Sequence, residues 1–109
     1  MSTQLPQPIA ASMQAANAHD TQALLRTLTV DAVVTDEGRV YHGHEELREW
    51  SHRTNQEYQA TLDVTEVTQV HEETVVTAQV AGTFDGSPIQ LRYHFTLSGH
   101  KIATLAIRG

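Results

Sequence analysis

The sequence contains no cysteine, which excludes disulfide bonds, a thiolate nucleophile and cysteine metal ligands. It is also poor in positive charge, because 7 basic residues stand against 13 acidic ones and give a formal net charge of −6. The basic residues are scattered along the chain and form no stripe that would attract a phosphate backbone. Nucleic acid is therefore not an expected partner.

Long hydrophobic runs are missing as well. No segment approaches the roughly 18 continuous apolar residues that a membrane span needs, and the first six residues lack the basic stretch and apolar core of a signal peptide. We therefore expect a cytoplasmic protein without membrane contact. A length of 109 residues is that of one ordinary domain, so a single domain over residues 1–109 is predicted.

The first half of the chain has the spacing of helices. Leu5, Ile9, Met13 and Ala16 recur every three or four residues and predict a helix over residues 8–18. Asp20 is a suitable N-cap for a short second helix that ends near residue 29. A third helix is expected after His42-Gly43-His44, with Leu47 and Trp50 on its buried side.

Strands are predicted around the third helix and throughout the rest of the chain. Residues 32–35 and 39–41 form a short pair around an Asp36-Glu37-Gly38 turn. From Tyr58 onward apolar and polar residues alternate, with a change of phase that predicts a bulge near Thr65-Glu66. Further strands are expected over residues 76–84, 89–97 and 102–107. The pattern indicates an α+β protein in which a curved antiparallel sheet wraps around the helices and leaves a pocket.

Several short segments resemble the nuclear transport factor 2-like superfamily, in its SnoaL-like branch related to polyketide cyclases and ketosteroid isomerases. The segments are Asn17-Ala18-His19-Asp20, Asp31-Ala32-Val33-Val34-Thr35-Asp36, Tyr41-His42-Gly43, Val80-Ala81-Gly82-Thr83-Phe84, Leu91-Arg92-Tyr93-His94-Phe95 and Gly99-His100-Lys101-Ile102. The resemblance covers essentially the whole chain and implies a cystatin-like cone. It does not choose a reaction, because the superfamily includes isomerases, cyclases, hydrolases, dehydratases and transport factors.

Asp36 is the candidate catalytic residue. The resemblance places it where ketosteroid isomerases carry the aspartate that abstracts a proton next to a carbonyl. A carboxylate at a strand end that faces an apolar cavity has a raised pKa and suits a general base. The alternative is that Asp36 only opens its turn and caps backbone amides.

The resemblance also implies which isomerase groups this chain lacks. Ser12 stands at the position of the oxyanion-binding tyrosine, and Leu91 stands at that of the protonated aspartic acid. Ketosteroid isomerase activity itself is therefore not expected, since the loss of one such donor lowers the rate by about 10²–10³. Asp36 acting with a different partner stays open.

Ligand-binding candidates are Met13, Trp50, Tyr58, Leu91 and Tyr93. Tyr93 is a hydrogen-bond donor to a ligand or a core aromatic with its hydroxyl at the rim, and Met13, Trp50 and Tyr58 are equally compatible with a core role. On the same strand as Tyr93, Arg92 and His94 have the opposite phase. The resemblance implies that they lie on the outer sheet face and that this face pairs into a homodimer.

Two classes of function remain open at this stage. The first is a small-molecule pocket protein for a compact apolar ligand, which as an enzyme would use Asp36 without a cofactor for isomerisation, cyclisation or water addition. The second is a non-catalytic binding or dimerisation domain whose pocket is filled by its own side chains. No metal site is expected, because His42, His44 and Glu45 lack the spacing of a zinc motif.

Overall fold

The computed structural model describes residues 5–109. The helices are α1 (Gln7–Asn17), α2 (Thr21–Arg26) and α3 (Gly43–Tyr58), and the strands are β1 (Leu28–Asp36), β2 (Arg39–His42), β3 (Thr61–Val70), β4 (Glu73–Ala81), β5 (Ile89–Ser98) and β6 (Lys101–Arg108). Residues 1–4, which enter the signal-peptide argument, lie outside the described part. No described helix is both long enough and apolar enough to cross a bilayer.

All six strands form one curved sheet in the order β2-β1-β6-β5-β4-β3. Neighbouring strands are antiparallel except for β1 and β6, which are parallel. The register of β3 against β4 shifts between Val64 and Glu66, and this confirms the predicted bulge. Bulges bend a strand and increase its twist, so the irregularities help the sheet to curve around the helices. The predicted α+β cystatin-like fold is confirmed, with one parallel pair within it.

Local hydrogen bonds explain where the helices begin and end. Asp20 caps α2, because its Oδ1 accepts the backbone N–H of Ala23 at 3.1 Å. Glu46 in the first turn of α3 accepts the backbone N–H of the N-cap residue His42 at 2.7 Å, which ties the helix start to the end of β2. At the other end of α3, Gln59 adopts a left-handed conformation with φ of 46° and terminates the helix.

The core lies between the helices and the concave face of the sheet. Its fully buried members come from both layers and include Ile9 of α1, Leu47 of α3, Leu28 of β1, Phe95 of β5 and Ile102 of β6. These side chains hold α1 and α3 against the sheet by removing apolar surface from water. The same packing fixes the walls of the space that the sheet encloses.

Several element boundaries differ from the sequence prediction, and three of the differences lie beside the cavity or its rim. Leu28 belongs to β1 rather than to α2, because the Ile102 N–H donates to the Thr27 carbonyl at 2.8 Å and draws this segment to β6. Tyr58 is the last residue of α3 rather than the start of a strand. Strand β4 ends at Ala81, so that Phe84 lies in the following loop.

That loop approaches the end of α3 very closely. The Thr83 N–H donates to the Tyr58 carbonyl at 2.7 Å. At Gly82 a Cβ atom would lie 2.2 Å from the same carbonyl oxygen, so only glycine fits there. The loop between β4 and β5 is thereby attached to the helix end that carries Tyr58.

Candidate functional site

A cavity of about 470 Å³ lies between the helices and the inner face of the sheet. Its wall is mainly apolar and is built from side chains of all three helices and of five of the strands, among them Met13, Leu28, Leu62, Val80, Phe95 and Leu105. The volume lies within the range of small-molecule sites, roughly 300–1,000 Å³. The five predicted ligand-binding residues and Asp36 all contribute to this wall.

Asp36 reaches the cavity because of strand alternation. Ala32 and Val34 of β1 are buried on the inner face, and Asp36 follows in the same phase at the end of the strand. The two residues after it, Glu37 and Gly38, have φ of 55° and 76°, which is the geometry of a tight two-residue hairpin turn. This turn ends the strand at Asp36 and leaves its carboxyl group at the wall.

The Asp36 carboxyl group has one side-chain donor, the indole of Trp50. Trp50 Nε1–H donates to Asp36 Oδ2 at 3.0 Å. Burial raises the pKa of Asp36 above its ordinary value of 3.8, and the Trp50 hydrogen bond opposes this effect. The charge of Glu37 raises the pKa further, whereas that of Arg53 lowers it. The balance is a carboxyl group that holds a proton more readily than an exposed aspartate.

Tyr93 lies on the inner face of β5 beside the stacked ring of Phe95, with 6.4 Å between the ring centroids. Burial raises the pKa of Tyr93, and the negative charge of Asp36 raises it further. Within residues 5–109 no fully enclosed side-chain polar atom lacks a hydrogen-bond partner. We infer that the Tyr93 hydroxyl, which has no partner among the described side chains, faces the open cavity as a neutral hydrogen-bond donor.

Tyr58 lies at the rim of the cavity. Its hydroxyl donates to Glu37 Oε2 at 2.6 Å, and its ring meets that of Phe84 edge-on at 5.8 Å. The hydrogen bond to Glu37 raises the pKa of Tyr58 to about 12, because it stabilises the neutral phenol. Tyr58 thus connects the β1–β2 turn, the end of α3 and the β4–β5 loop at one side of the opening.

The cavity wall also contains three other residues that the sequence analysis singled out, Met13, Leu91 and Ser12. Met13 and Leu91 contribute apolar surface to the wall. Ser12 also lines the cavity, but its hydroxyl donates to the Ile9 carbonyl at 2.7 Å within its own helix. Its hydroxyl hydrogen is therefore engaged within α1.

The hydrogen bonds of Trp50 and Glu37 are features that the sequence prediction missed. The sequence predicts Trp50 as a ligand-binding or core residue, but it does not predict that the indole N–H donates to Asp36, 14 residues earlier in the chain. Glu37 was treated only as part of a turn, although it accepts the Tyr58 hydroxyl from 21 residues away. Neither pair has a signature in local sequence, because each depends on how α3 packs on the β1–β2 hairpin.

The histidines do not converge on the cavity. The ring Nε2 of His44 lies 3.3 Å from the Leu28 carbonyl oxygen, and that of His19 lies 2.7 Å from the Ala60 carbonyl oxygen. In the part of the chain that the structure describes, no three His, Asp or Glu side chains come together as metal ligands. The groups at the wall include the carboxyl groups of Asp36 and Glu37, the indole N–H of Trp50, and the phenols of Tyr58 and Tyr93.

The fold and the cavity together define a small α+β pocket domain of the cystatin-like type. The family model described as the SnoaL-like domain matches residues 9–104, and the chain belongs to this family, within the nuclear transport factor 2-like superfamily. No curated protein matches the chain.

Solved structures agree with this assignment. A proposed polyketide cyclase from Sinorhizobium meliloti is 34% identical, with a TM-score of 0.91 and coverage of 95% of each chain. A protein from Catenulispora acidiphila with a ketosteroid isomerase-like fold, solved with trimethylamine, is 18% identical, with a TM-score of 0.84 and coverage of 97% of this chain and 87% of that one. A cystatin-fold protein from Novosphingobium aromaticivorans is 20% identical, with a TM-score of 0.80 and coverage of 99% and 100%. The last two likenesses establish the fold alone.

Proposed function

We propose that the cavity binds a compact, largely apolar small molecule and that Asp36 acts on it as a general base without a cofactor. The observation that carries this proposal is the Asp36 carboxyl group at the wall of an apolar cavity, partly desolvated and oriented by the Trp50 N–H at 3.0 Å. The raised pKa makes this carboxylate a stronger base than an exposed aspartate, which suits it to proton transfer. Isomerisation, cyclisation and water addition all need such a step.

The roles of Asp36 and Tyr93 follow from the hydrogen bonds that each group can still form with a ligand. Trp50 occupies Oδ2 of Asp36, and Oδ1 is the oxygen that accepts a proton from the ligand. Negative charge that develops on a ligand oxygen is stabilised by the Tyr93 hydroxyl, a neutral hydrogen-bond donor whose raised pKa keeps it protonated. The apolar wall excludes water and strengthens both interactions.

The likeness to the proposed polyketide cyclase from Sinorhizobium meliloti supports a reaction of the cyclisation type, since 34% identity extends over 95% of both chains. An intramolecular cyclisation begins with removal of a proton next to a carbonyl group, which is the step assigned to Asp36. We therefore place cyclisation of a small carbonyl compound first among the candidate reactions.

A second candidate is non-catalytic binding of the same kind of ligand. It is favoured by the residues that stand where isomerases carry oxyanion donors, because Leu91 has no donor and the Ser12 hydroxyl is engaged with Ile9. A cavity of about 470 Å³ speaks against the variant of this idea in which the pocket is filled by its own side chains. The two candidates therefore differ in chemistry rather than in binding.

The test is to identify the ligand and then remove the base. Native mass spectrometry of the purified protein detects a retained small molecule, and related carbonyl compounds are then assayed for turnover. Asp36→Asn keeps the shape of the side chain and should lower turnover by about 10²–10⁴-fold, while binding of the ligand persists. Asp31→Asn, on the exposed part of the same strand, is the matched control. Turnover that survives in Asp36→Asn would favour another base, and binding without turnover in wild type would favour the second candidate.

We also propose a homodimer through the outer face of the sheet. On β5 the half-buried His94 lies on this face, and its Nδ1 is 3.1 Å from Glu73 Oε1 of β4. Arg92 is exposed on the same face, and the sheet register pairs it with Thr77 of β4 and Arg108 of β6. Light scattering at increasing concentration should give twice the chain mass of 12.1 kDa; a constant monomer mass would exclude the dimer.

A further inference from the structure

Besides the Tyr58–Glu37 bond at the end of α3, two hydrogen bonds that start from neighbouring turns of α3 connect this helix with the β1–β2 hairpin beside the cavity. The first joins Trp50 Nε1 of α3 to Asp36 Oδ2 of β1 at 3.0 Å. The second joins Arg53 Nη2 of α3 to the hydroxyl oxygen of Tyr41 in β2 at 2.7 Å. Trp50 and Arg53 are three residues apart and therefore lie on the same side of the helix. The hairpin and the helix thus meet through two adjacent pairs.

The two pairs are also in contact with each other. The rings of Tyr41 and Trp50 pack at 6.1 Å between centroids, with 36° between their planes. The guanidinium carbon of Arg53 lies 5.9 Å from the centroid of the Tyr41 ring, within the range of a cation–π contact. Tyr41 is therefore held by the ring of Trp50 and by the charged head of Arg53. Arg53 is in turn oriented by Glu57, whose Oε1 accepts from Nη1 at 3.2 Å.

We propose that Tyr41 and Arg53 are positioning residues that fix the direction of the Trp50 N–H and thereby the orientation and ionisation of Asp36. Their importance for turnover rests on the proposed function of Asp36 as the base. Neither residue needs to touch the ligand for this role, and neither is among the residues that line the cavity.

The topology explains why the Tyr41–Arg53 bond matters for the position of the hairpin. Strand β2 has four residues and pairs with β1 alone at the edge of the sheet. Asp36 is paired with Arg39 across the turn, and Tyr41 is paired with Val34. A hairpin that is held on one side only can shift relative to α3, and a small shift would misalign the indole N–H with the carboxylate. The Tyr41–Arg53 pair opposes that shift.

Charge alone could also change the ionisation of Asp36, so the test must distinguish the charges of the surrounding groups from the hydrogen bonds that they form. Glu37 of the turn, Tyr93 of β5 and Arg53 of α3 all interact electrostatically with the Asp36 carboxyl group, and Arg39 stands opposite it in β2. Arg53 would lower the pKa of Asp36 by its charge even if it held nothing in place. Tyr41→Phe removes the second hydrogen bond without changing any charge, and Arg53→Lys keeps the charge but not the planar guanidinium group.

The chain offers a built-in probe, because Trp50 is its one tryptophan. Fluorescence of Trp50 is followed against pH in wild type and in Asp36→Asn, and the difference isolates the ionisation of Asp36. The ¹³Cγ resonance of Asp36, assigned by its absence from the asparagine variant, gives the same midpoint independently of the indole. Circular dichroism verifies that each variant is folded.

Tyr41→Phe and Arg53→Lys should both raise the midpoint of Asp36, by about half a pH unit or more, since loss of an aligned donor to a carboxylate is worth about one unit. Arg48→Gln, at an exposed position of the same helix, should leave the midpoint unchanged. Midpoints that stay at the wild-type value in both folded variants would overturn the proposal. Arg53→Gln removes the charge at position 53 as Arg48→Gln does at position 48. If these two variants shifted the Asp36 midpoint equally and Tyr41→Phe did not shift it, long-range charge would explain the shift and the proposal would be overturned.

The measured shift of the Asp36 midpoint does not depend on whether Asp36 acts as a catalytic base. If Tyr41→Phe does not fold, Arg53→Lys carries the test, because the Arg53 side chain is 39% exposed and its replacement leaves the core intact. If the midpoints move as expected but Asp36→Asn retains full turnover, the positioning role stands and the proposed catalytic function fails.

Discussion

Asp36→Asn also makes a prediction about stability that needs no knowledge of the ligand. Asparagine has nearly the shape of aspartate, and its amide oxygen can still accept the Trp50 N–H that lies 3.0 Å from Oδ2 in the wild-type protein. The substitution therefore removes the charge and little else. Its effect on the free energy of unfolding measures what it costs to keep a carboxylate in this cavity.

The sign follows from the direction of the pKa shift. Burial raises the pKa of Asp36 above 3.8, so between 3.8 and the raised value the folded chain binds more protons than the unfolded chain. Wild-type stability consequently falls as the pH rises through that window, and above it the loss is complete. The asparagine variant has no such loss. It should be at least as stable as wild type at pH 7, and the difference should shrink as the pH approaches 3.8.

The expected gain is small. One pKa unit corresponds to about 1.4 kcal/mol, but the carboxyl group is partly solvated, and solvent screening reduces the gain to below about 1 kcal/mol. For a domain of this size that is a rise of a few degrees in Tm, since about 1 kcal/mol shifts Tm by about 4–8 °C in a domain of 60–100 residues. Greater stability with lower turnover is the pattern expected when a residue is kept for function rather than for folding.

Urea unfolding followed by circular dichroism at several pH values from 4 to 8 measures the difference, and it avoids the fluorescence of Trp50 next to the substitution. Asp31→Asn is the control, because Asp31 is exposed and its Oδ1 accepts only from the Thr29 hydroxyl. If Asp36→Asn were less stable than wild type at pH 7 by more than about 1 kcal/mol, the carboxylate would be a net stabilising group. The desolvation argument for a base at position 36 would then be refuted.

Three further predictions concern the frame of the cavity. Gly82→Ala places a Cβ 2.2 Å from the Tyr58 carbonyl oxygen and should destabilise the protein by about 1–3 kcal/mol in urea unfolding, whereas Gly109→Ala, with no atom within 4 Å, should have no effect. Tyr58 should titrate near pH 12 in the ultraviolet difference between wild type and Tyr58→Phe, and Glu37→Gln should move it toward 10; a wild-type value near 10 would disprove the Glu37 hydrogen bond. Phe95→Ala, at a position 1% exposed, should cost about 3–5 kcal/mol by calorimetry and denaturant unfolding, and a loss below about 1 kcal/mol would contradict its central place in the core.

Much of the fold was predictable because it is encoded at short range. Alternation along β5 follows from the residues of that strand alone, and the phase slip at Thr65-Glu66 marks the bulge that the register of β3 and β4 confirms. The Asp20 cap of α2 is equally local. In each case the chemical signal and its structural consequence lie within a few residues of each other.

Long-range pairing explains what the sequence could not predict. The parallel pairing of β1 with β6 brings Leu28 opposite Ile102, and this contact extends β1 at the expense of α2. No residue near Leu28 indicates such a partner. The position of Tyr58 at the end of α3 likewise depends on Gly82 and Phe84, whose contacts with it form only after the sheet has curved back to the helix.

The two interpretations of Asp36 that the sequence left open are parts of one arrangement. Asp36 does open the turn to β2, and the Glu37 backbone N–H contributes to stabilising its ionised form. The same turn ends the inner-face alternation of Ala32 and Val34 at a position on the cavity wall. A turn aspartate needs no tryptophan donor, however, and solvent normally surrounds it. The Trp50 hydrogen bond and the burial of Asp36 are thus the features that a purely local role leaves unexplained, and they are the ones on which the proposed chemistry depends.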